Sequence, residues 1–385
     1  MRFKKLLALT LALIVGIIPV STMAADDSSS ISQNKRVVVV SKKANKKDTD
    51  ASLNKYKHKK VKSLTNFKGA EVVLVDDAEL AKLKADNTIQ VFEDAAIKIS
   101  KPKESKKNKV QQIPWGVKRV GAETAWSKTT GKGIKVADID SGIAPHKDLR
   151  KNIKGEFNAI EPGKPTTDDY GHGTHVAGKI AAKDNKVGVV GVAPDAELYA
   201  VKVLDAFGSG YLSDLVEGID WSINNGIQVV NLSVEVQSDY PLLKDSIRRA
   251  LDAGLIVVAA AGNTNGGSVA YPAAYDGVIS VSAIHETDKI ADFSAVGKVD
   301  FCAPGTDIRS TYLGDGYANL SGTSMATPHV TGVLALMLAD SRNDTDGNGL
   351  VSTNEVKNII LCYAEDIGKD GYDEIYGNGI IKASN

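Results

Sequence analysis

The feature that most constrains the fold is a regular alternation of short apolar runs with helical stretches after residue 111. The apolar runs are rich in Val, Ile and Ala. The predicted strands are 133–137, 198–203, 227–232, 256–260 and 278–282, and the predicted helices are 176–182, 212–224, 241–253 and 327–338. Apolar strands separated by helices are typical of a parallel sheet covered on both faces. We therefore expect residues 111–385 to form a doubly wound α/β domain with a mostly parallel sheet.

The first 25 residues have the composition of a secretory signal peptide. Arg2, Lys4 and Lys5 precede an apolar run over 6–20, and small residues follow at 21–25. Such a segment is removed on export. The run is short and soon followed by charge, which argues against the alternative of a retained membrane anchor. We expect a secreted, extracellular protein.

The segment that follows is basic and has its own structural pattern. Residues 26–109 carry 20 Lys and Arg against 12 Asp and Glu, a net charge of +8, whereas 110–385 carries −11. Opposite charges favour association of the two parts. The segment lacks interleaved aromatic residues, so a nucleic-acid partner is not expected. Its predicted strands are 36–40, 70–75 and 89–93, its predicted helix is 77–84, and a charged linker follows at 101–110.

The chain has two cysteines, Cys302 and Cys362. An exported protein can join them in a disulfide. Both lie in apolar runs, so two buried thiols are an equal alternative.

Three motifs each place one reactive side chain beside glycines, where a strand or loop turns into a helix. They are Asp140 in 136–142, His172 in 171–178 and Ser324 in 322–330. A serine hydroxyl is a weak nucleophile until a base takes its proton, and the base needs a carboxylate to fix its tautomer. Ser324 is expected at a helix N-terminus with Pro328 in the first turn, where free N–H groups stabilise an oxyanion. Alone, each motif would suit a helix cap or a turn, but together they indicate a Ser-His-Asp hydrolase.

A fourth motif, 259–263, places Asn263 after a small-residue strand, where its amide can donate to the oxyanion. These four motifs resemble those of the subtilisin family of serine endopeptidases, and the similarity extends over almost all of 111–385. The resemblance implies that Asp140 orients the base, that His172 is the general base and acid, and that Ser324 is the nucleophile. Asn263 and the Ser324 N–H would form the oxyanion hole. His175 matches a structural position, and no Glu follows His172 as a zinc motif would require.

The resemblance also assigns the basic segment as an inhibitory and folding-assisting propeptide over 26–100, with a small α+β fold over about 35–99. Self-cleavage would release the enzyme. The linker is longer than in relatives, so the cut is left open between Ser100 and Lys109. The implied partners are protein or peptide substrates and the chain's own propeptide, and the enzyme is expected to be a monomer.

An extended substrate is expected to add a strand by backbone hydrogen bonds. The implied substrate-binding residues are Gly208, Ser209, Gly210, Ser233, Val234, Glu235, Ala260, Gly262 and Ala270. Glu235 and Val236 stand where relatives carry glycines, and Ala270 stands where relatives often carry Gly. As a hypothesis, Glu235 favours basic or small residues at P1, the substrate residue before the cut bond.

Two Ca²⁺ sites are expected. The resemblance implies a first site with the side chains of Gln111, Asp148 and Asn185 and the carbonyls of Lys183, Val187 and Val189. The residues themselves predict a second, because 344–355 matches the twelve-residue EF-hand loop with ligands Asp344, Asp346, Asn348, Leu350, Ser352 and Glu355. The alternatives are an ordinary turn at 184–186 and a connector with a capping box at Ser352 and Glu355.

The sequence thus predicts a secreted, calcium-stabilised serine endopeptidase that forms an acyl-enzyme and is made as a self-processing zymogen. Two other functions stay open. One is a calcium-dependent docking module built on the EF-type loop, although 366–373 does not repeat the loop. The other is a catalytically silent relative that only binds peptides, which the altered segment 233–236 suggests.

Overall fold

The computed structural model describes residues 34–99 and 111–384. The predicted signal peptide, residues 26–33 and the linker with both candidate cut positions, Ser100 and Lys109, lie outside the described residues. In the described part, no helix is both long enough and apolar enough to cross a membrane.

Residues 34–99 form a small α+β unit around an antiparallel sheet of order β2-β3-β1-β4. Its elements are β1 Lys35–Ser41, α1 Lys46–Leu53, β2 Lys59–Leu64, β3 Ala70–Val75, α2 Asp77–Ala85, β4 Ile89–Glu93 and β5 Ala96–Lys98. Side chains alternate across β1. Val37 and Val39 pack in a core with Leu53 of α1, whereas Val38 and Val40 belong to a core shared with the rest of the chain.

The remainder of the described chain alternates strands and helices. Its strands are β6 Lys135–Asp140, β7 Ile153–Asn158, β8 Glu197–Lys202, β9 Ser209–Tyr211, β10 Val229–Leu232, β11 Ile256–Ala260, β12 Ile279–Ile284, β13 Phe301–Pro304, β14 Ile308–Tyr312, β15 Gly316–Leu320, β16 Ala364–Glu365 and β17 Ile380–Ile381. Its helices are α3 Trp115–Arg119, α4 Ala122–Ala125, α5 His172–Ala181, α6 Leu212–Asn224, α7 Pro241–Asp252, α8 Thr323–Leu338 and α9 Thr353–Ile359, with 3₁₀ helices at Ser341–Asn343 and Ile360–Tyr363.

A nine-stranded sheet of order β16-β17-β13-β12-β11-β10-β6-β8-β7 forms the centre. All its pairs are parallel except β16 with β17. One apolar core joins the sheet to α5 and α8, and a second joins it to α6 and α7. The predicted doubly wound α/β fold is confirmed. Asp140 ends β6, which lies between β10 and β8, and ligands of such folds bind at the carboxyl ends of the strands.

Two helices begin earlier than the sequence predicts. α5 begins at His172 instead of 176, and α8 begins at Thr323 instead of 327. Pro328 therefore lies inside α8, beyond its first turn, and the expectation of a first-turn proline was wrong. Proline has no N–H, so the Ser324 carbonyl four residues earlier lacks its helical partner. It accepts a hydrogen bond from Ser233 Oγ at 3.0 Å instead.

Both cysteines are free thiols in the structure. Cys302 is buried in β13, and burial raises the pKa of its thiol. Cys362 is exposed in the last 3₁₀ helix. Burial of both thiols, one of the two alternatives, was therefore wrong for Cys362.

The basic unit packs on α6 and α7. Lys62 forms an ion pair with Asp214 in α6, and Lys68 Nζ lies 2.8 Å from Asp245 Oδ2 in α7. Leu64 and Phe67 extend the shared apolar core. Opposite charges of the two parts thus meet in this contact.

Candidate active site

Asp140 and His172 meet where β6 ends and α5 begins. His172 Nδ1 lies 2.8 Å and 2.9 Å from the two Asp140 oxygens, and both side chains are buried. Burial lowers the pKa of His172, but the charge and hydrogen bond of Asp140, with a smaller contribution from Asp168, outweigh it, so the pKa is raised. A carboxylate at Nδ1 keeps the hydrogen on that nitrogen, which leaves Nε2 able to accept a proton.

Asp168 is a site residue that the sequence analysis missed. One of its carboxylate oxygens accepts the N–H groups of Tyr170 at 2.9 Å and Gly171 at 2.8 Å. The other accepts the N–H and hydroxyl of Thr174 at 2.9 Å and 2.7 Å. These bonds fix the turn that leads into His172. The available signal was an Asp just ahead of a helix start, a position typical of a capping side chain.

Ser324, the second residue of α8, is held against Ser233. Ser324 Oγ donates to the Ser233 carbonyl at 3.1 Å, and Ser233 Oγ donates to the Ser324 carbonyl at 3.0 Å. Across residues 34–99 and 111–384, no hydrogen bond joins Ser324 to His172. The structure therefore pairs two of the three predicted catalytic groups. Ser324 Oγ must leave the Ser233 carbonyl before the base can take its proton, and such hydrogen bonds often form only with substrate bound.

The Asn263 amide is oriented by the residue before Ser324. Its Oδ1 accepts the N–H of Thr323 at 3.0 Å and the Thr323 hydroxyl at 3.3 Å. Thr323 Oγ1 also accepts the N–H of Gly262 at 3.2 Å. With Oδ1 engaged in this way, Asn263 Nδ2 is left to donate outward from an exposed side chain. The predicted oxyanion donor thus lies beside the N-terminus of α8.

The last strand of the N-terminal unit lies on the predicted substrate edge. β5 pairs antiparallel with β9, with Ile97 opposite Gly210. The N–H of Ile99 donates to the Gly208 carbonyl at 2.9 Å. A Cβ added at Gly208 would lie 3.0 Å from Ile99 Cγ1, so a side chain there would crowd the strand. In the described part, β5 and Ile99 make no hydrogen bond to 233–235, the other predicted edge.

Glu235 reaches across the predicted pocket to Asn263. Its Oε2 and Oε1 lie 3.2 Å and 3.5 Å from the Asn263 backbone N. Burial raises the pKa of Glu235, and the bond from Asn263 opposes this shift. The remaining pocket residues Val234, Ala260 and Ala270 are buried.

The residues of the first predicted calcium site meet in one loop cluster. Gln111 Oε1 accepts the Asn185 N–H at 2.9 Å, and Asn185 Nδ2 donates to Asp148 Oδ1 at 3.0 Å. The predicted carbonyl ligands belong to the same loop and are those of Lys183, Val187 and Val189. All the predicted ligand atoms are oxygens, and one of the ligands is a carboxylate. Such a set suits a hard cation such as Ca²⁺.

The second predicted site brings three carboxylates together. Oxygens of Asp344, Asp346 and Glu355 lie within 4.8 Å of one another. Ser352 and Glu355 form the capping box of α9, so that alternative holds as well. The hydrogen bonds of Glu355 to the Ser352 N–H and hydroxyl, and to Thr345, lower the pKa of Glu355 to about 2. It is therefore ionised over the range in which calcium would bind.

A buried Asp–His pair and a serine at a helix N-terminus are groups that a serine hydrolase requires. The sequence profile of the subtilase family matches residues 131–379. The chain is 40% identical to minor extracellular protease Epr of Bacillus subtilis (strain 168), over 91% of this chain and 54% of Epr, so it spans about half of that relative. It is 40% identical to M-protease of Shouchella clausii (strain KSM-K16), over 87% of this chain and 84% of that protein. It is 45% identical to Subtilisin Savinase of Lederbergia lenta, over 71% of this chain and 98% of Savinase.

The chain belongs to the subtilase family. It is accordingly a serine endopeptidase, and its N-terminal unit of strands fits a pro-domain.

Proposed function

We propose that Asp140, His172 and Ser324 are the catalytic triad of a secreted endopeptidase. The observation that carries the proposal is the double contact of His172 Nδ1 with the Asp140 carboxylate, since it leaves Nε2 as the base. The Asn263 amide, oriented through Thr323, supports the same reading.

In the proposed reaction, Ser324 Oγ attacks the substrate carbonyl carbon while His172 Nε2 takes the hydroxyl proton. The carbonyl oxygen becomes an oxyanion, to which Asn263 Nδ2 and the Ser324 N–H donate. The C–N bond then breaks as His172 passes its proton to the leaving amine, and an acyl ester remains on Ser324. Water attacks this ester with His172 again as base, the ester C–O bond breaks, and the proton returns to Ser324 Oγ.

We infer that the enzyme is made as a zymogen that cuts its own linker. Support comes from β5, which pairs with β9 in the predicted substrate edge, and from the hydrogen bond of the Ile99 N–H to the Gly208 carbonyl. Ser100 follows next in the sequence, so we place the first cut at the Ser100 end of the range 100–109. The ion pairs on α6 and α7 would hold the released propeptide as an inhibitor. We infer export from the predicted signal peptide, and the name of the relative minor extracellular protease Epr agrees with it.

The Ser324→Ala variant is expected to stay unprocessed and to take up no serine-reactive fluorophosphonate, because it lacks the nucleophile for both reactions. The unchanged protein should be processed and labelled. Gel mobility, N-terminal mass and fluorophosphonate fluorescence measure the two outcomes. Labelling that persists in Ser324→Ala would show that another residue is the nucleophile and would refute the triad. An unchanged protein that takes up no label and stays unprocessed would favour a protein that only binds peptides.

We further propose that Ca²⁺ stabilises the enzyme at two sites. Gln111, Asp148 and Asn185, with the carbonyls of 183, 187 and 189, would hold one ion. Asp344, Asp346, Asn348, Leu350, Ser352 and Glu355 would hold the other, between α8 and α9. The ion would supply positive charge to these oxygens and play no part in the chemical step.

Calcium removal is expected to lower the melting temperature by about 5–10 °C, as follows from losing a ligand present at many times its Kd. The measurement uses Ser324→Ala protein, which cannot digest itself, with Ca²⁺ or with chelator. Asp346→Asn should lose part of this calcium-dependent shift. Asp292→Asn, which removes an exposed carboxylate elsewhere, should retain all of it. Equal shifts in Asp346→Asn and unchanged protein would contradict the second site, and a chelator without effect would contradict both.

A further inference from the structure

Glu235 lies beside the two groups between which the proposed reaction places the substrate carbonyl. In the proposed reaction, the attacked carbonyl sits within about 3 Å of both Ser324 Oγ and Asn263 Nδ2. The side chain on the same substrate residue then enters the space beside these two groups. Glu235 lies two residues after Ser233, which holds Ser324 Oγ, and its carboxylate contacts the Asn263 backbone.

The Glu235 carboxylate lies close to Gly262 in the predicted P1 pocket. A Cβ added at Gly262 would lie 3.1 Å from Glu235 Oε2 and 3.1 Å from Ala270 Cβ. Gly262 follows β11, whereas Glu235 follows β10, so the Glu235 side chain bridges two segments of the pocket. We expect a large apolar P1 side chain to compete with the carboxylate for this space.

The charge of Glu235 has no cation to balance it in the described part of the chain. The half-buried carboxylate has hydrogen bonds only from the Asn263 N–H. No Lys, Arg or His lies within ion-pair distance of it among residues 34–99 and 111–384. A partly buried charge without a counter-charge is costly, and a cation that reaches it is correspondingly favoured.

We propose that Glu235 makes this peptidase selective for Lys or Arg at P1. The inference rests on the proposed function and adds its substrate class. A Lys or Arg side chain would pair with Glu235, whereas Phe or Leu would leave the carboxylate desolvated and without its N–H partner. A small P1 residue leaves Glu235 undisturbed and is cut without the gain of an ion pair.

The linker has the residues that such a pocket would select. Residues 101–109 include Lys101, Lys103, Lys106, Lys107 and Lys109. A first cut beside Ser100 does not require a basic P1 residue, because the linker and the site belong to one chain and that reaction is intramolecular. Removal of the remaining linker by a second molecule would use its lysines.

The test compares kcat/KM for fluorogenic peptides that differ only at P1, which is Lys, norleucine, Ala or Phe. Norleucine has the four-carbon side chain of Lys without its terminal ammonium group. We expect Lys to exceed norleucine by about 30-fold or more in the unchanged enzyme, as the loss of one partner from a desolvated charge pair implies. Glu235→Gln should reduce this ratio at least about tenfold. Glu235→Gly should raise the Phe-to-Lys ratio by a similar factor, because it opens the pocket and removes the charge.

Glu286→Gln is the control variant. It makes the same Glu-to-Gln change in the α/β domain, but at an exposed residue outside the predicted pocket. It should leave the Lys-to-norleucine ratio unchanged. The inference is overturned if Phe exceeds Lys in the unchanged enzyme, or if both Glu235 variants keep its P1 ratios. Failure of the proposed function looks different: no peptide would be cut and no fluorophosphonate would be bound.

Discussion

Asp140→Asn is expected to lower kcat/KM for peptide hydrolysis by about 10⁴. The carboxylate of Asp140 accepts the hydrogen of His172 Nδ1 in a buried contact. An amide in its place can present an N–H₂ group to Nδ1, which moves the ring hydrogen to Nε2. His172 could then no longer take the Ser324 proton. Steady-state kinetics on one peptide, with the melting temperature as a check on folding, measures the loss.

Asp138→Asn is the matched control. Asp138 lies two residues earlier in β6, so its side chain is on the same face of the sheet as Asp140, and it is equally buried. In the described part, neither of its carboxylate oxygens has a hydrogen-bond partner. Burial, and after it the charges of Asp140 and Asp168, raise the pKa of Asp138 well above its usual value. Asp138→Asn should keep most of the activity. A loss as large as that of Asp140→Asn would contradict the role given to Asp140.

The central strands of the sheet were predictable because they are buried on both faces, whereas the partly exposed edge strand β7 was missed. Runs such as those of β10 and β11 are nearly all Val, Ile, Leu or Ala, and few other environments favour such composition. α1 and β2 were missed for the opposite reason. β2 has the sequence Lys-Lys-Val-Lys-Ser-Leu, and only its last residue is buried. Its place in the sheet depends on pairing with β3, which local composition does not reveal.

The residues of the site were predictable, but their contacts were only partly so. Asp140 and His172 stand in motifs that end a strand and begin a helix, and the fold brings them together. The hydrogen bond from Ser324 Oγ to the Ser233 carbonyl depends on a side-chain rotamer, and the bond from Ser233 Oγ depends on the Ser324 carbonyl that Pro328 leaves free. The hydrogen bond from the Asn263 N–H to the Glu235 carboxylate joins the loop after β11 to the loop after β10. Spacing along the chain cannot report such contacts.

Lys179→Met is expected to raise the free energy of unfolding below neutral pH by about 1–3 kcal/mol. Lys179 is fully buried in α5, and its Nζ donates to the Arg309 carbonyl at 2.9 Å. Among the described residues no carboxylate pairs with it. Burial lowers the pKa of Lys179 from 10.5 to about 7. A difference of this size corresponds to a penalty of roughly 5 kcal/mol, and the loss of the Lys179 hydrogen bond offsets part of the gain.

The pH dependence separates this effect from ordinary repacking. Unfolded chains bind the Lys179 proton up to about pH 10.5, whereas the folded protein binds it only up to about pH 7. The penalty is therefore complete below pH 7 and disappears as pH rises to about 10.5. Urea unfolding of Ser324→Ala protein at about pH 6 and about pH 10 should show a large gain for Lys179→Met only at the lower pH. Lys151→Met, at an exposed position, should show no such difference. A gain equal at both pH values would mean that the pKa of Lys179 is the same in the folded and the unfolded chain, and that the improvement comes from packing alone.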